Sequence, residues 1–485
     1  MKNYILKSPV LVLLIILVSA ISIKSQTIQW TNTYGSTAQD GGESMVLTND
    51  GGIAIAGFKS ANNTKDVLLM KTDSLGNETW SRTYNHGIND WGRSLQKTND
   101  GGFIIAGMTE VNSQTHDPFL IKTDSEGNLQ WQQQYDYGFG EDDRAHAVWQ
   151  TSDGGYILVG QTWLIHGSFG NYDMYMVKTD MNGNVQWKKV FFRENDGGDV
   201  ALGVQQLDDG GYIIGGFTQS SSWASYIVRT DSLGNTIWSN IYEGVWQSEC
   251  YDIQATPDGG FILTGTESSF DTDTDLLMIK LNSNGNLLWK KIYGTKDAEQ
   301  GEFIQQLQDG GYIIAGMSSH GAGSYDMYVV RTNSAGDSLW SRTIGGVSDD
   351  RAFSVASPQL GTYFVTGWAW SYGMGQGDVY LVKLSETSSG ITENNSIPGS
   401  IELKQNYPNP FNPSTGIQFG LPVKSIVSVI VSDAVGRTVE ELINSTLGPG
   451  NYEVKFDGSN HSSGIYFYTL RIGAYVETKK MILLK

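Results

Sequence analysis

The stretch KTDSLGNETW, residues 71–80, decides the architecture, because near copies of it recur down the chain. Lys71 ends an apolar run, a polar turn through Gly76 and Asn77 follows, and Trp80 sits in the next run. The copies place Trp131, Trp187, Trp238, Trp289 and Trp340 after the same turn, and Trp30 precedes the first of them. Steps between these tryptophans are 50, 51, 56, 51, 51 and 51 residues. A steady period of this length marks one supersecondary unit repeated along the chain.

Working outward, each unit reads as an acidic residue, a short run, Asp-Gly-Gly, an apolar run ending in Gly, and a variable loop. A second apolar run ending in Lys or Arg, the polar turn and the Trp run complete it. The Asp-Gly-Gly copies begin at Asp50, Asp100, Asp153, Asp209, Asp258 and Asp309. Asp-Gly between two β-prone runs signals a hairpin, because the turn takes positive φ. Runs such as GFIIAG (102–107) and GYIIAG (311–316) are continuous rather than alternating, as in strands covered on both faces. Each unit therefore supplies four antiparallel strands, which bury both faces only by stacking on neighbours. Seven units carry the two central strands, but the seventh ends at VYLVKL (379–384) without a Trp run. The missing strand is IQWTNTY (28–34), at the other end of the chain. The sequence thus predicts an all-β fold, a seven-bladed β-propeller over 26–384 closed by the N-terminal strand. Tryptophan rings wedged between blades would each contribute on the order of 4–6 kcal/mol of gross transfer. On that basis Trp238→Ala costs about 3–5 kcal/mol.

The chain has 485 residues, enough for two or more domains, with 59 glycines, 24 tyrosines and a formal charge of −19. Residues 26–395 hold 21 basic against 44 acidic side chains, a balance that repels phosphate backbones and argues against a nucleic-acid partner. A lone Cys250 allows no intramolecular disulfide and reads as a small packed thiol. In residues 1–25, Lys2 and Lys7 precede an apolar run from Val10 to Ile21, the pattern of a signal peptide cut at Ser25-Gln26. No other stretch is long and apolar enough for a spanning helix, so an integral membrane protein is not expected. Residues 385–400, SETSSGITENNSIPGS, read as a flexible linker.

From 401 to 485 the Trp repeat is gone and alternating runs with Gly turns predict a small antiparallel β-sandwich. This stretch closely resembles the C-terminal sorting domain of the type IX secretion system in its immunoglobulin-like form. The opening Asn409-Pro410-Phe411-Asn412-Pro413, Asp433-x-x-Gly436-Arg437, Ser463-Gly464-Ile465-Tyr466 and Lys479-Lys480-Met481 carry the resemblance. It implies the type IX machinery as a partner, export across an outer membrane, and then release or attachment at the cell surface. The repeat, in WSRTIGGVSDDRAFSVAS (340–357) and YFVTGWAW (363–370), resembles the bacterial β-propeller repeats of exported proteins. Its turn is also similar to the tryptophan-docking motif of quinoprotein-type propellers, one residue short between Asp and Gly.

In a four-stranded meander the variable segments gather on one face, where recognition usually resides. Trp91, Trp163, Trp223, Trp246, Trp368 and Trp370 are assigned to loops there, joined by Phe169, Tyr172, Phe270 and Tyr372. Aromatic platforms beside carboxylates suit a glycan or an extended peptide, and the same rings serve equally as plugs over a channel. Two carboxylate sets repeat. Asp66, Asp117, Asp173, Asp275, Asp326 and Asp378 begin the third strand, and Asp40, Asp90, Asp143, Asp199, Glu299 and Asp350 precede the first, with Glu249 near the fifth place. Recurrence in every blade points to capping of neighbouring backbone N–H groups, with a calcium-holding ring as the alternative. His116, His166 and His320 fall in three different blades, no catalytic signature is present, and no acid stands out from the repeat. The sequence therefore reads as an exported binding or adhesion module for a glycan or protein, without a cofactor. A polysaccharide-active or quinoprotein-like enzyme and a structural surface component are the alternatives.

Overall fold

The computed structural model describes residues 24–485 apart from 113–114, 137–141, 167–168, 192, 194–196, 220–221, 269–273, 295, 389–391, 395–397 and 460. The expected signal peptide, but for Lys24 and Ser25, and Phe270 lie outside these residues. Among the described residues there is no helix, and the strands form nine four-stranded sheets. The chain divides into two compact units, one spanning Gln26–Glu386 and the other holding Thr387–Lys485.

The first unit holds seven sheets in succession, over 40–84, 90–134, 144–191, 198–242, 247–293, 299–344 and 350–388. The first six are simple meanders. In the seventh, Lys24–Tyr34 lies beside Asp378–Ser388 and supplies the strand that the repeat lacked. The inner strand of each sheet touches that of the next, and the inner strand of the seventh touches that of the first.

Short polar signals set this geometry. In the first sheet Gly51 takes φ +82°, and Asp50 accepts from the Gly52 N–H at 3.3 Å and from Lys71 Nζ at 2.5 Å. The charged residue ending the second apolar run reaches back to that aspartate in six sheets, through Lys71, Lys122, Lys178, Arg229, Lys280 and Arg331. In the next turn Asp73 Oδ1 accepts the N–H groups of Leu75 and Asn77 at 2.8 and 2.9 Å, as an Asx turn does.

The repeated tryptophans link successive sheets. Trp80 meets Phe103 of the second sheet edge-on at 6.3 Å, and a Cβ added at Gly127 there would lie 2.7 Å from its ring. Trp238 meets Phe261 of the fifth sheet at 5.9 Å, and Trp30, on the seventh, covers Gly76 of the first. Four residues after the ring, the Tyr84 and Tyr135 hydroxyls donate to the carbonyls of Gly127 and Gly183 at 2.6 and 2.8 Å. One expectation changes. All seven rings stand on outermost strands, where six keep an edge in solvent; only Trp340 is fully buried, with Glu386 accepting from its Nε1. Trp238→Ala is therefore expected to cost about 2–3 kcal/mol in urea unfolding rather than about 3–5, and a loss below about 1 would deny the docking role.

The second unit has two sheets on one core. Thr392–Asn394, Gly450–Asp457, Ser414–Leu421 and Glu402–Leu403 form one, and Thr438–Leu447, Ser425–Asp433, Gly464–Ile472 and Tyr475–Leu483 the other. Phe419, Val429, Val454, Tyr468 and Met481 are buried in the core they share. The expected linker at 385–400 is partly strand. Asp378–Ser388 runs into it because Glu386 accepts from Trp340 Nε1 at 3.0 Å and the Tyr363 hydroxyl at 2.7 Å. Thr392–Asn394 pairs with Asn451–Glu453, a backbone ladder that needs no apolar period.

Candidate functional site

Four of the six tryptophans assigned to loops stand in strands instead: Trp91, Trp163, Trp223 and Trp368. The hairpins are longer than the sequence suggested; that of the third sheet pairs from Tyr156↔Thr179 out to His166↔Phe169, and Trp163↔Tyr172 is one of its rungs. Trp246 and Trp370 lie in turns and are 56% and 47% exposed. The rings do not form one platform. Trp91 meets His116 at a tilt, 5.9 Å apart, and Trp163 meets Tyr172 edge-on at 5.0 Å. Asp142 joins these two pairs, accepting the Tyr172 hydroxyl at 2.6 Å and meeting His116 Nδ1 at 2.7 Å. Trp223 packs on Phe217 at 4.9 Å and Trp368 on Phe353 at 5.2 Å.

Five of the repeated carboxylates cap loops, while Asp66, Asp117 and Glu299 instead accept from the side chains of Asn85, Gln134 and Ser318. Asp40 accepts from the N–H groups of Ser36 and Ser60, Asp90 from those of His86 and Gly87, and Asp350 from those of Gly346, Trp370 and Ser371. Asp326 and Asp378 accept from Ala322 and from Met374 and Gly375. Among the described residues, no group of three or more His, Cys, Asp or Glu is placed to hold a metal ion. His116 and His320 sit apart, the latter on Asp297 at 2.7 Å, and the side chain of His166 lies outside the described residues. Cys250 is buried, and burial pushes its thiol well above the usual range.

Phe217 and Phe353 lead to a feature the sequence reading missed. Both line a cavity of 690 Å³ bounded by the inner strands of all seven sheets. Every inner strand carries a β-bulge at the same place, and the residue in the bulge is Glu43, Arg93, His146, Leu202, Tyr251, Glu302 or Phe353. All seven line the cavity. The cause is the glycine that ends each first apolar run. A Cβ on Gly57, Gly107, Gly160, Gly216, Gly265, Gly316 or Gly367 would lie only 1.8–1.9 Å from an inner-strand carbonyl oxygen. Without a Cβ there, the inner backbone folds down over the second strand, and the bulge turns one side chain inward.

The electrostatics of this set are unusual. Arg93 Nη1 meets Glu43 Oε2 at 3.2 Å. Enclosure, with Glu43 adding to it, pushes the Glu302 carboxyl up to about 7, while Arg93 and Arg351 pull the other way. Burial raises Asp252 to about 6 although the Ile304 N–H donates to it, and burial together with Arg93 lowers His146 to about 3. A carboxyl raised in the folded state costs stability once it ionises in the unfolded chain. Below the ordinary value of 4.5 both states of Glu302 are protonated. As pH rises from there to about 7 the folded protein holds a proton that the unfolded chain has released, and stability falls. Glu302→Gln is thus expected to gain about 1–2 kcal/mol over the parent at pH 8, discounted for its partial access to the cavity, and nothing at pH 4. Denaturant unfolding at both pH values measures this, and an equal difference at each would show that Glu302 is not so perturbed.

In the second unit the Asn-Pro-Phe-Asn-Pro run plugs one end of the sandwich. Phe411 is buried edge-on to Phe456 at 5.8 Å, and its backbone exchanges bonds with Ile482 and Leu484 at 2.9 and 3.0 Å. Asp433 Oδ1 accepts the N–H groups of Val435 and Arg437, both at 3.0 Å, around Gly436 at φ +87°. The quoted motifs thus serve one small fold. Residues 405–484 match the family described as the secretion system C-terminal sorting domain. The second unit is a type IX sorting domain. A chain bearing it is exported to the cell surface or the extracellular space.

Other likenesses are distant. Regulatory protein FlaEY of Caulobacter vibrioides is 25% identical over 130 residues, which is 24% of this chain and 13% of that protein. Among solved structures, one is PorZ, an essential bacterial surface component of the type-IX secretion system of Porphyromonas gingivalis. It is 12% identical with a TM-score of 0.43 over 91% of this chain and 59% of its own. Sqt1 of Chaetomium thermophilum is 11% identical with a TM-score of 0.41 over 77% of this chain and 99% of its own. No helix among the described residues is long and apolar enough to cross a membrane.

Proposed function

We propose that the first unit is a closed seven-bladed β-propeller, its last blade completed by Lys24–Tyr34, and that it is a binding or adhesion module delivered by the sorting domain in its immunoglobulin-like form. The ligand is a glycan or protein taken at the loop face. The observation that carries this reading is the pairing of rim and cavity aromatics, Trp223 on Phe217 and Trp368 on Phe353, which runs apolar surface from the face into the cavity. Trp246 and Trp370 add exposed rings on the same side, as an anchor for a ligand requires. A glycosidic hydrolase is the second reading, favoured by Glu302 held near 7 in the neighbourhood of Glu43.

Glycan and peptide arrays probed with the exported protein, paired with reducing-end release from the same polysaccharides, separate the readings. Binding without turnover, weakened about tenfold or more by the double change Trp246→Ala and Trp370→Ala, is the expected result. Release of reducing ends would replace the binding module with the hydrolase, and neither signal would leave a structural component.

A further inference from the structure

The residue after the bulge has a repeated task. In three sheets it is a serine, and Ser44, Ser94 and Ser354 accept a backbone N–H of the neighbouring inner strand, from Leu95, Val148 and Met45 at 3.2, 3.2 and 3.3 Å. In the fifth sheet the task falls to Asp252, whose Oδ2 accepts the Ile304 N–H at 3.1 Å. A hydroxyl suffices for that link, so the charge that Asp252 brings is surplus to it. Glu302, in the bulge of the next sheet, is similar. Gln300 Nε2 donates to its Oε1 at 2.7 Å, and among the described residues nothing donates to Oε2.

The arginines that act on Glu302 are paired elsewhere, Arg93 with Glu43 and Arg351 with Asp349. Among the described residues no cation pairs with Asp252 or Glu302. Both line the cavity of 690 Å³ and keep accessible surface there, unlike the sealed Glu43 Oε1. With the Arg93–Glu43 pair balanced, the charge left on the lining is negative, which disfavours an anion. Tyr251, Phe303 and Phe353 stand beside these carboxyls in the lining, on the same three inner strands. A compact divalent ion needs a cage of several oxygen ligands, whereas acids set among aromatic rings suit a cation with an apolar body.

We propose that this cavity binds an organic cation, an aliphatic amine whose ammonium is held by Asp252 and Glu302 and whose methylene chain packs on Phe303 and Phe353. The site is separate from the exposed rim tryptophans and does not depend on what the loop face takes.

Calorimetric titration of the exported protein with butylamine, cadaverine and spermidine tests it, with pentanediol and glutarate as the uncharged and anionic equivalents of cadaverine. At pH 8 at least one amine is expected to bind with a Kd of about 1 mM or tighter, and neither equivalent should match it. Burial holds Glu302 up to about 7 and Asp252 to about 6, so both are ionised at pH 8 and mostly protonated at pH 5. His146 stays neutral at both, and the Tyr251 phenol, raised well above its usual range by burial, stays protonated. Amine affinity should therefore fall about tenfold or more from pH 8 to pH 5. Asp252→Ser installs the residue that three other sheets carry, keeps an acceptor for Ile304, and should weaken binding about tenfold, as should Glu302→Gln. Circular dichroism melts confirm that each variant is folded, and the two report separately should one of them unfold. No amine binding to the folded parent, pentanediol binding as tightly as cadaverine, affinity equal at the two pH values, or affinity unchanged in the folded variants overturns the proposal. None of these outcomes touches the loop-face module, which the arrays test on their own.

Discussion

Replacing Arg331 with alanine is expected to cost about 3–5 kcal/mol, read from denaturant unfolding at pH 7. Its side chain is fully buried. Nη2 pairs with Asp309, Nη1 donates to the Thr332 carbonyl, and Nε lies 3.2 Å from the Tyr363 hydroxyl and 3.6 Å from Glu386. The Glu386 side chain is itself 2% exposed and accepts hydrogen bonds from Trp340 and Tyr363, so removing the guanidinium takes a cation away from a buried carboxylate. Arg229 is the natural comparison. It occupies the same repeat position and pairs with Asp209, yet among the described residues no second carboxylate pairs with it. Arg229→Ala should cost about 2 kcal/mol. Equal losses in the two variants would show that Glu386 adds nothing. The unequal result fits the placement: the seventh sheet alone is assembled from both ends of the unit, and its network fastens the last residue before Thr387.

The repeat was legible because its signals are local. Asp-Gly-Gly, the Asp-x-x-Gly-Asn turn and the spaced tryptophans each dictate a turn or a docking contact by their own chemistry, and the absence of a Trp run after VYLVKL pointed to the N-terminal strand. The site was not legible in the same way. Counting aromatics outside the repeat led to Trp91, Trp163, Trp223 and Trp368 as loop residues, whereas hairpin length put them in strands. The cavity residues are set by the bulge, which depends on a glycine in the neighbouring strand. A signal did exist. Three residues after the repeated acid, the position reads Glu43, Arg93, His146, Leu202, Glu302 and Phe353, changing chemistry while its surroundings stay constant. Tyr251 hides from that rule because Ser248 takes the acid's place in the fifth sheet.

The bulge itself is open to a direct test. Gly160→Ala is expected to cost about 3 kcal/mol or more, because its Cβ would stand 1.8 Å from Arg144 O, a backbone atom that cannot swing aside. Gly154→Ala is the control. Gly154 has φ +83° with nothing within 4 Å of its Cβ, so only the conformational penalty of about 1 kcal/mol applies. The larger loss should come with a change in the cavity. In the parent protein burial and Arg93 hold His146 neutral down to about pH 3. If the inner strand must lift to admit the new methyl group, the imidazole is uncovered and titrates nearer its ordinary 6.5, which NMR of the ring protons follows directly. A Gly160→Ala protein as stable as the Gly154→Ala control, with His146 still neutral at pH 5, would mean that the glycine does not set the bulge and that the inward turn of all seven side chains has another cause.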